Sequence, residues 1–432
     1  MNRTSLIGRT AVAAALALGA LGTGFIAAPA LAKEAKAPKA TNSPEFLKVA
    51  APLQKEVSDL LAKAGKVSDA DLKAAATPLV AKLAVLEGKM KSPLDLLVGG
   101  DWQRQVGTFA GDNALANRGL DNMVASGQLD AKALEQVRTI RGQNAYIAKD
   151  YAKVIEALTP IISSPTADTA AVQMLAESYA SSGNPAQGLA ALKTAIDARK
   201  AAGQPAPAVF YQRGLAMAYR NKMYDAALDF ATGLVSVDPT ANNWSDALGL
   251  ARTAGKFQAQ ETLDVMRLAR RAGAMRDSND YSEYIQAADP RRSPGEVLKV
   301  ADAGVAAGKL SAGDVFVTEA RTQAQARLAA DKASLPALER DARAPTASGT
   351  TVIAAADTFL SYDDPAKAEA LYQIALTKPG VDADRANTRL GIAQVDQGKY
   401  ADAQATFAKV GGARQSIAKL WSIYAAQKAK GG

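Results

Sequence analysis

Hydrophobic positions along most of this chain recur every three to four residues, which is the spacing of one buried face of an α-helix. Phe46, Val49, Leu53, Val57 and Leu60-Leu61 follow it after Ser43-Pro44-Glu45, which reads as an N-cap, a proline at the first position and an early acid. Ser68 to Asp71 repeats the capping logic before a second helix running through Leu83 and Leu86. Gly99-Gly100 reads as a break. Trp102, Val106, Leu115, Leu120 and Met123 then predict another helix pair, closed by Gly127 and Asp130. No stretch reads as a strand-rich domain. Short β-branched runs such as Thr350-Thr351-Val352-Ile353 start helices by their context.

Small and aromatic residues add a longer period. Near the C-terminus, Leu390-Gly391, Gly398-Lys399-Tyr400, Ala403 and Phe407 describe a helix, a turn and a second helix. Gly391 and Ala403 would let two antiparallel backbones approach, with Tyr400 and Phe407 filling the seam. Comparable sets predict units starting near Glu135, Thr169, Ala208, Ala241, Gly349 and Asp384. Their turns are expected beside Tyr151, Pro185, Tyr224, Phe257, Pro365 and Tyr400.

This pattern resembles the tetratricopeptide repeat (TPR), whose period is about 34 residues. The overall look, with an export leader and alanine-rich helices, is similar to exported TPR proteins of Gram-negative bacteria, a resemblance that covers about 135–274 and 349–432 well and the rest loosely. The resemblance implies an all-α solenoid of stacked antiparallel helix hairpins, with a C-terminal capping helix from Ala413 to Ala429 over the apolar end of the stack. The expected division is a leader over 1–32, a disordered lead over 33–43 and an N-terminal helical region with a possible degenerate repeat over 44–134. TPR-like repeats follow over 135–274, divergent helical repeats over 275–348, further TPR-like repeats over 349–416, and the cap and tail over 417–432. Residues 201–208, with Gly203, Pro205 and Pro207, read as a surface loop inserted between two units.

Residues 1–32 carry Arg3 and Arg9, an apolar run from Ala11 to about Ile26, and Ala30-Leu31-Ala32 at the cleavage position. That is the pattern of a cleaved Sec-type signal peptide, and a periplasmic location is the expectation. The absence of cysteine removes disulfides and lipoprotein acylation. The formal net charge is +8; the leader holds two of the basic residues and no acid, so the remainder keeps +6. A modest basic excess favours anionic partners without naming one. Arg267, Arg270, Arg271, Arg276 and Arg291-Arg292 read as either a solvated helix face or a patch for anionic lipid, glycan or an acidic partner. Outside the cytoplasm nucleic acid is not an expected partner, and any membrane contact is at most peripheral.

With no histidine and no cysteine, Ser-His-Asp and Cys-His catalysis, common zinc sites and thiol redox chemistry are excluded. Ser416-Ile417-Ala418-Lys419 matches S-x-x-K, but no K-T-G follows and the S-x-N at Ser182 precedes it. Gly304 to Lys309 is one residue short of a phosphate loop, with Leu310 where a metal-binding hydroxyl belongs. Asp382-Ala383-Asp384 lacks the rest of a calcium loop and reads as a helix start. No catalytic residue, metal site or cofactor is expected, although carboxylates distant in sequence can converge for glycoside hydrolysis.

Recognition is then the expected work. The TPR resemblance implies that first helices line a concave groove taking a peptide or helix of an envelope protein. By position, the groove-facing candidates are Gln143, Tyr146, Gln173, Glu177, Gln212, Tyr219 and Arg252, with Arg213 and Arg220 beside them. The Lys/Asn/Arg carboxylate clamp of chaperone-binding TPRs is not reproduced. The competing readings are a carboxylate enzyme acting on envelope glycan, housed in about 276–348, and a peripheral binder of anionic lipid.

Overall fold

Capping side chains set most of the helix starts. Ser43, Ser68, Ser92, Asp130, Asp168, Thr240, Ser348 and Asp382 each accept a backbone N–H from the first turn of the helix they precede. The computed structural model of the chain describes residues 41–431. The expected leader, and most of the lead after it, lie outside the described residues.

The described residues form twenty α-helices and no strand. The first ten are α1 (Pro44–Leu61), α2 (Asp69–Glu87), α3 (Pro93–Ala110), α4 (Asn113–Ala125), α5 (Ala131–Ile147), α6 (Tyr151–Leu158), α7 (Thr169–Ser181), α8 (Pro185–Ala201), α9 (Ala208–Arg220) and α10 (Tyr224–Val237). The rest are α11 (Ala241–Gly255), α12 (Ala259–Arg271), α13 (Ser278–Ala288), α14 (Pro294–Ala306), α15 (Val315–Ala342), α16 (Gly349–Ser361), α17 (Pro365–Leu376), α18 (Ala383–Asp396), α19 (Tyr400–Phe407) and α20 (Gln415–Ala429). Consecutive helices pack as antiparallel hairpins, and neighbouring hairpins stack, so the fold is an all-α solenoid. None of the described helices is long and apolar enough to cross a membrane.

The turns repeat one conformation. Lys149, Gly183, Lys222, Asp363 and Gly398 all have positive φ, each two residues before the second helix of its hairpin. Those helices begin at Tyr151, Pro185, Tyr224, Pro365 and Tyr400. The α11–α12 turn differs: Lys256 is left-handed, Phe257 lies within the turn, and α12 starts at Ala259. Expected unit starts at Thr169, Ala208, Ala241 and Gly349 coincide with helix starts. The unit placed near Glu135 begins at Ala131, because Asp130 caps it instead of closing the pair before.

Two glycine readings change. Gly99-Gly100 is not a break but lies inside α3. A Cβ on Gly100 would meet the Gly119 carbonyl of α4 at 2.7 Å, so Gly100 and Gly119 let two backbones cross in near contact. Gly391, conversely, makes room for a ring: a Cβ there would collide with Phe407. Gly142 stands in the same relation to Leu158, and Gly214 to Phe230, always sixteen positions apart. The repeat is therefore marked by a hole on the first helix and a knob on the second.

The array also bends back on itself. Helix α12 is buried from Thr262 through Ala269, and α18 from Ala386 through Val395. The two are joined by Arg389, whose Nε donates to Asp264 Oδ1 at 2.9 Å and whose Nη1 lies 2.6 Å from Asp357. Arg414 adds a second pairing to Asp264, and Arg267 makes a bidentate pair with Glu296 at 2.8 and 2.7 Å. Tyr284 completes the cluster by donating to Glu296 at 2.9 Å. Burial alone would raise the Glu296 and Asp357 carboxyls. The guanidiniums of Arg267, and of Arg389 with Arg385, outweigh it and hold both below their ordinary values. The last helix, α20, packs on α18 and α19 and also reaches α10, α11 and α12. Trp421 donates to the Asp264 carbonyl at 3.0 Å, Tyr424 to that of Arg271 at 3.2 Å, and Gln427 to that of Val235 at 2.6 Å. The capping helix thus joins two distant parts of the array as well as covering its last hairpin.

At the other end, Asp95 is buried and fixes the start of α1 to that of α3. It accepts from Ser43 Oγ at 2.7 Å, Ser43 N at 3.0 Å, Lys91 N at 3.0 Å and Ser92 N at 2.9 Å. Burial would raise its carboxyl, but these hydrogen bonds hold it well below the usual range.

Candidate functional site: the row of first helices

The candidate groove residues fall on the first helices of successive hairpins: Gln143 and Tyr146 on α5, Gln173 and Glu177 on α7, Gln212 and Tyr219 on α9, and Arg252 on α11. The structure brings three of them together. Gln212, Tyr219 and Arg252 line one cleft of about 870 Å³ between α9, α11 and α13. Its floor is Leu215, Ala216, Leu234 and Leu250, and its rim carries Asn243, Thr253, Asp246, Arg276 and Glu283. Glu177 connects to the row through Arg213, which it meets at 3.2 Å. Gln143, Tyr146 and Gln173 stand on first helices further back and do not line this cleft.

Several of these groups already have work. Arg252 pairs with Asp280 at 3.1 Å and with Glu283, tying α11 to α13. Arg276 meets Asp246 at 3.0 Å. Asn243 donates to the carbonyl and carboxylate of Asp238 at 2.8 and 2.9 Å. Gln212 and Tyr219 are exposed, and Tyr219 keeps 61% of its surface open. The cleft therefore offers a near-neutral, ion-paired rim, an apolar floor, and an amide and a phenol at its edge. Such a surface can cover side chains and meet backbone groups of an extended segment.

Sequence reasoning missed the other side of this cleft, Asp246, Arg276 and Glu283, because the groove was assigned one helix at a time. It also missed a repeated surface feature. Tyr219 packs edge-on to Tyr224 with centroids 6.1 Å apart, and Tyr146 to Tyr151 at 6.3 Å. Both pairs bracket a left-handed lysine, Lys222 or Lys149. The identical spacing of Tyr, Lys and Tyr in the two turns is a readable signal.

The arginine group expected as a solvated face or a basic patch divides: Arg270, Arg276, Arg291 and Arg292 are exposed, while Arg267 and Arg271 turn into the fold. Arg267 is buried against Glu296 and Asp264, Arg271 pairs with Asp396 at 2.6 Å, and Arg276 pairs with Asp246. Arg291 and Arg292 both lie against Asp289. The periodic spacing of these residues could not show that Glu296, Asp246 and Asp396, 29, 30 and 125 positions away, would meet Arg267, Arg276 and Arg271. Ser416 and Lys419 sit in α20, where Lys419 faces Asp229 at 3.6 Å. Asp382 caps α18, as expected of a helix start. No group of three or more metal-ligating side chains occurs among the described residues.

No family model matches the chain, and no curated protein does. Among solved structures it is similar to a tetratricopeptide repeat protein from Parabacteroides merdae ATCC 43184, at 11% identity over 76% of this chain and 98% of that one, TM-score 0.19. It is similar to the TPR domain of P58(IPK), at 15% identity over 89% and 99%, TM-score 0.24. A third is Naa15/Naa10 bound to HypK-THB, at 12% over 86% and 69%, TM-score 0.25. The architecture is TPR-like. At such scores that statement rests on the hairpins themselves, with their recurring left-handed turn and hole-and-knob pairs, and not on the likenesses.

Proposed function

We propose that the protein is a non-catalytic periplasmic scaffold that holds an extended segment or a helix of an envelope protein against its first helices. The observation that carries this reading is the cleft between α9, α11 and α13, with Tyr219 exposed at its edge. Exposed aromatic and amide groups over an apolar floor suit peptide recognition, where a few rings supply most of the affinity. The leader pattern of residues 1–32 supports export. Of the arginines considered for anionic lipid, Arg267, Arg271 and Arg276 are ion-paired within the fold. Residues 276–348, the room for a catalytic body, are the helices α13, α14 and α15 with short connections.

The test uses a photo-crosslinking side chain placed at position 219 or 212 in the full chain expressed in cells. A defined envelope protein should be captured at both, and capture should be lost when the other position is also changed to alanine. Arg252 is left intact, since its pairs hold α11 to α13. Equal capture from position 85, exposed on α2, would remove the groove assignment. Release of soluble fragments from purified peptidoglycan would overturn the non-catalytic reading. N-terminal sequencing of the fractionated protein should begin at Lys33.

A further inference from the structure

A second cleft, of about 420 Å³, lies on the second helices α8 and α10, where α20 crosses them. It is separate from the groove on the first helices. Its floor is apolar: Leu189, Ile196 and Phe230 are buried, and Ile423 of α20 closes one side. Three lysines stand around it, Lys193, Lys200 and Lys419, with Asp197 and Asp229. Lys419 and Asp229 face each other at 3.6 Å. Among the described residues the other two lysines make no ion pair, and Lys200 lies with its ammonium 5.9 Å over the ring of Tyr211.

Tyr211 is what sets this cleft apart. It is 3% exposed, and its hydroxyl has no hydrogen-bond partner among the described residues. The fold satisfies other buried or half-buried tyrosines: Tyr284 donates to Glu296, Tyr372 to Asp357 and Tyr362 to Asp331 at 2.6–2.9 Å, and Tyr424 donates to a carbonyl. The ring position of Tyr211 is built in, because Gly233 of α10 lies against it and any Cβ there would collide with the ring. Burial, helped by the Asp197 charge, raises the phenol above its ordinary value, so the group is a neutral donor near neutral pH. A buried donor left unmade costs stability that a bound acceptor would recover.

We propose that this cleft binds a small amphipathic monocarboxylate. Its apolar chain lies on Leu189, Ile196, Phe230 and Ile423. One carboxylate oxygen accepts from the Tyr211 hydroxyl. The Lys200 ammonium turns from the ring face onto the carboxylate. Asp197 beside the site disfavours a dianion, so a carboxylate fits better than a phosphate monoester. The cavity volume is that of a small-molecule pocket and too small for a folded partner.

Titration calorimetry on the full mature chain tests this with octanoate, octylammonium and acetate as probes. Octanoate should bind with a dissociation constant below about 1 mM, while octylammonium and acetate should be at least tenfold weaker. Tyr211→Phe should weaken octanoate about tenfold, the usual worth of one hydrogen bond to a charged group. The same variant should melt no lower than the parent, because it removes a hydroxyl that has no partner. Lys200→Gln should weaken octanoate by a similar factor. Absent octanoate binding, equal binding of octylammonium, or Tyr211→Phe that binds as the parent does would each overturn the proposal.

Discussion

The stretch α7–α10 and the stretch α12–α20 are built from the same hairpin, yet they are held together differently. In α9 and α10 the seam is apolar, Phe210, Met217, Ala227, Phe230 and Leu234, and the outward faces meet water. The ion pair that links α7 to α9, Glu177 to Arg213, is half exposed. In α12 the side chains around the whole helix are covered, and the covering elements meet at Asp264, Arg267, Arg389 and Arg414. An open array needs one buried stripe per helix. An array that returns onto itself buries a helix on all sides, and its polar positions must then find partners inside. Tyr219 at 61% exposed and Trp421 at 0% mark the two regimes.

The largest break in this contrast should come from Asp264→Ala. It would strip Arg389, Arg414 and Arg267 of a shared carboxylate, and uncompensated buried charge costs about 3–5 kcal/mol. Urea unfolding should show that loss, and hydrogen exchange should place it in α12, α18 and α20 while α7–α10 keep their protection.

Acid should attack the same region next. Glu296 and Asp357 have carboxyls held below their ordinary values of 4.5 and 3.8 in the fold. Their contribution is complete above those ordinary values and disappears as pH falls through the depressed ones. Melting temperature followed from pH 7 to pH 3 should therefore drop, and exchange should open α12–α18 before α9–α10. Asp95, depressed likewise, should make the α1–α3 junction acid-sensitive too.

A smaller effect separates two glycines of the first helices. Gly214→Ala pushes a methyl into the Phe230 ring and should cost about 1–3 kcal/mol. Gly249→Ala on α11 meets only the Arg276 guanidinium at 3.8 Å, and should stabilise by up to about 1 kcal/mol through helix propensity. Smallest of all, Lys222→Gly relieves a left-handed lysine and should change stability by less than about 1 kcal/mol, in the favourable direction, by thermal melting.

What the sequence could reveal follows the same division. Within hairpins, the cues are local: Pro185 and Pro365 at first positions, Tyr151, Tyr224 and Tyr400 after a left-handed residue, caps such as Ser348 and Asp382. Those give the repeat and its phase. The return of α18 and α20 onto α12 depends on Arg389 meeting Asp264 across 125 positions, and no periodicity encodes that. Helix α12 even misleads, since Arg267 reads as part of a solvated face or basic patch while it is enclosed beside Asp264. The candidate groove was legible as a row of positions, but its far wall, Asp246, Arg276 and Glu283, was not.

The meeting of Arg389 with Asp264 also fixes how many hairpins can stand between α12 and α18. Inserting one more unit after α17 would carry Arg389, Arg414 and Trp421 past their partners, so this segment cannot grow or shrink by whole repeats. The connection ahead of α7 carries no such constraint, and there a duplicated unit would only lengthen the rod. Gains and losses of repeats should accordingly fall on the N-terminal side of α7.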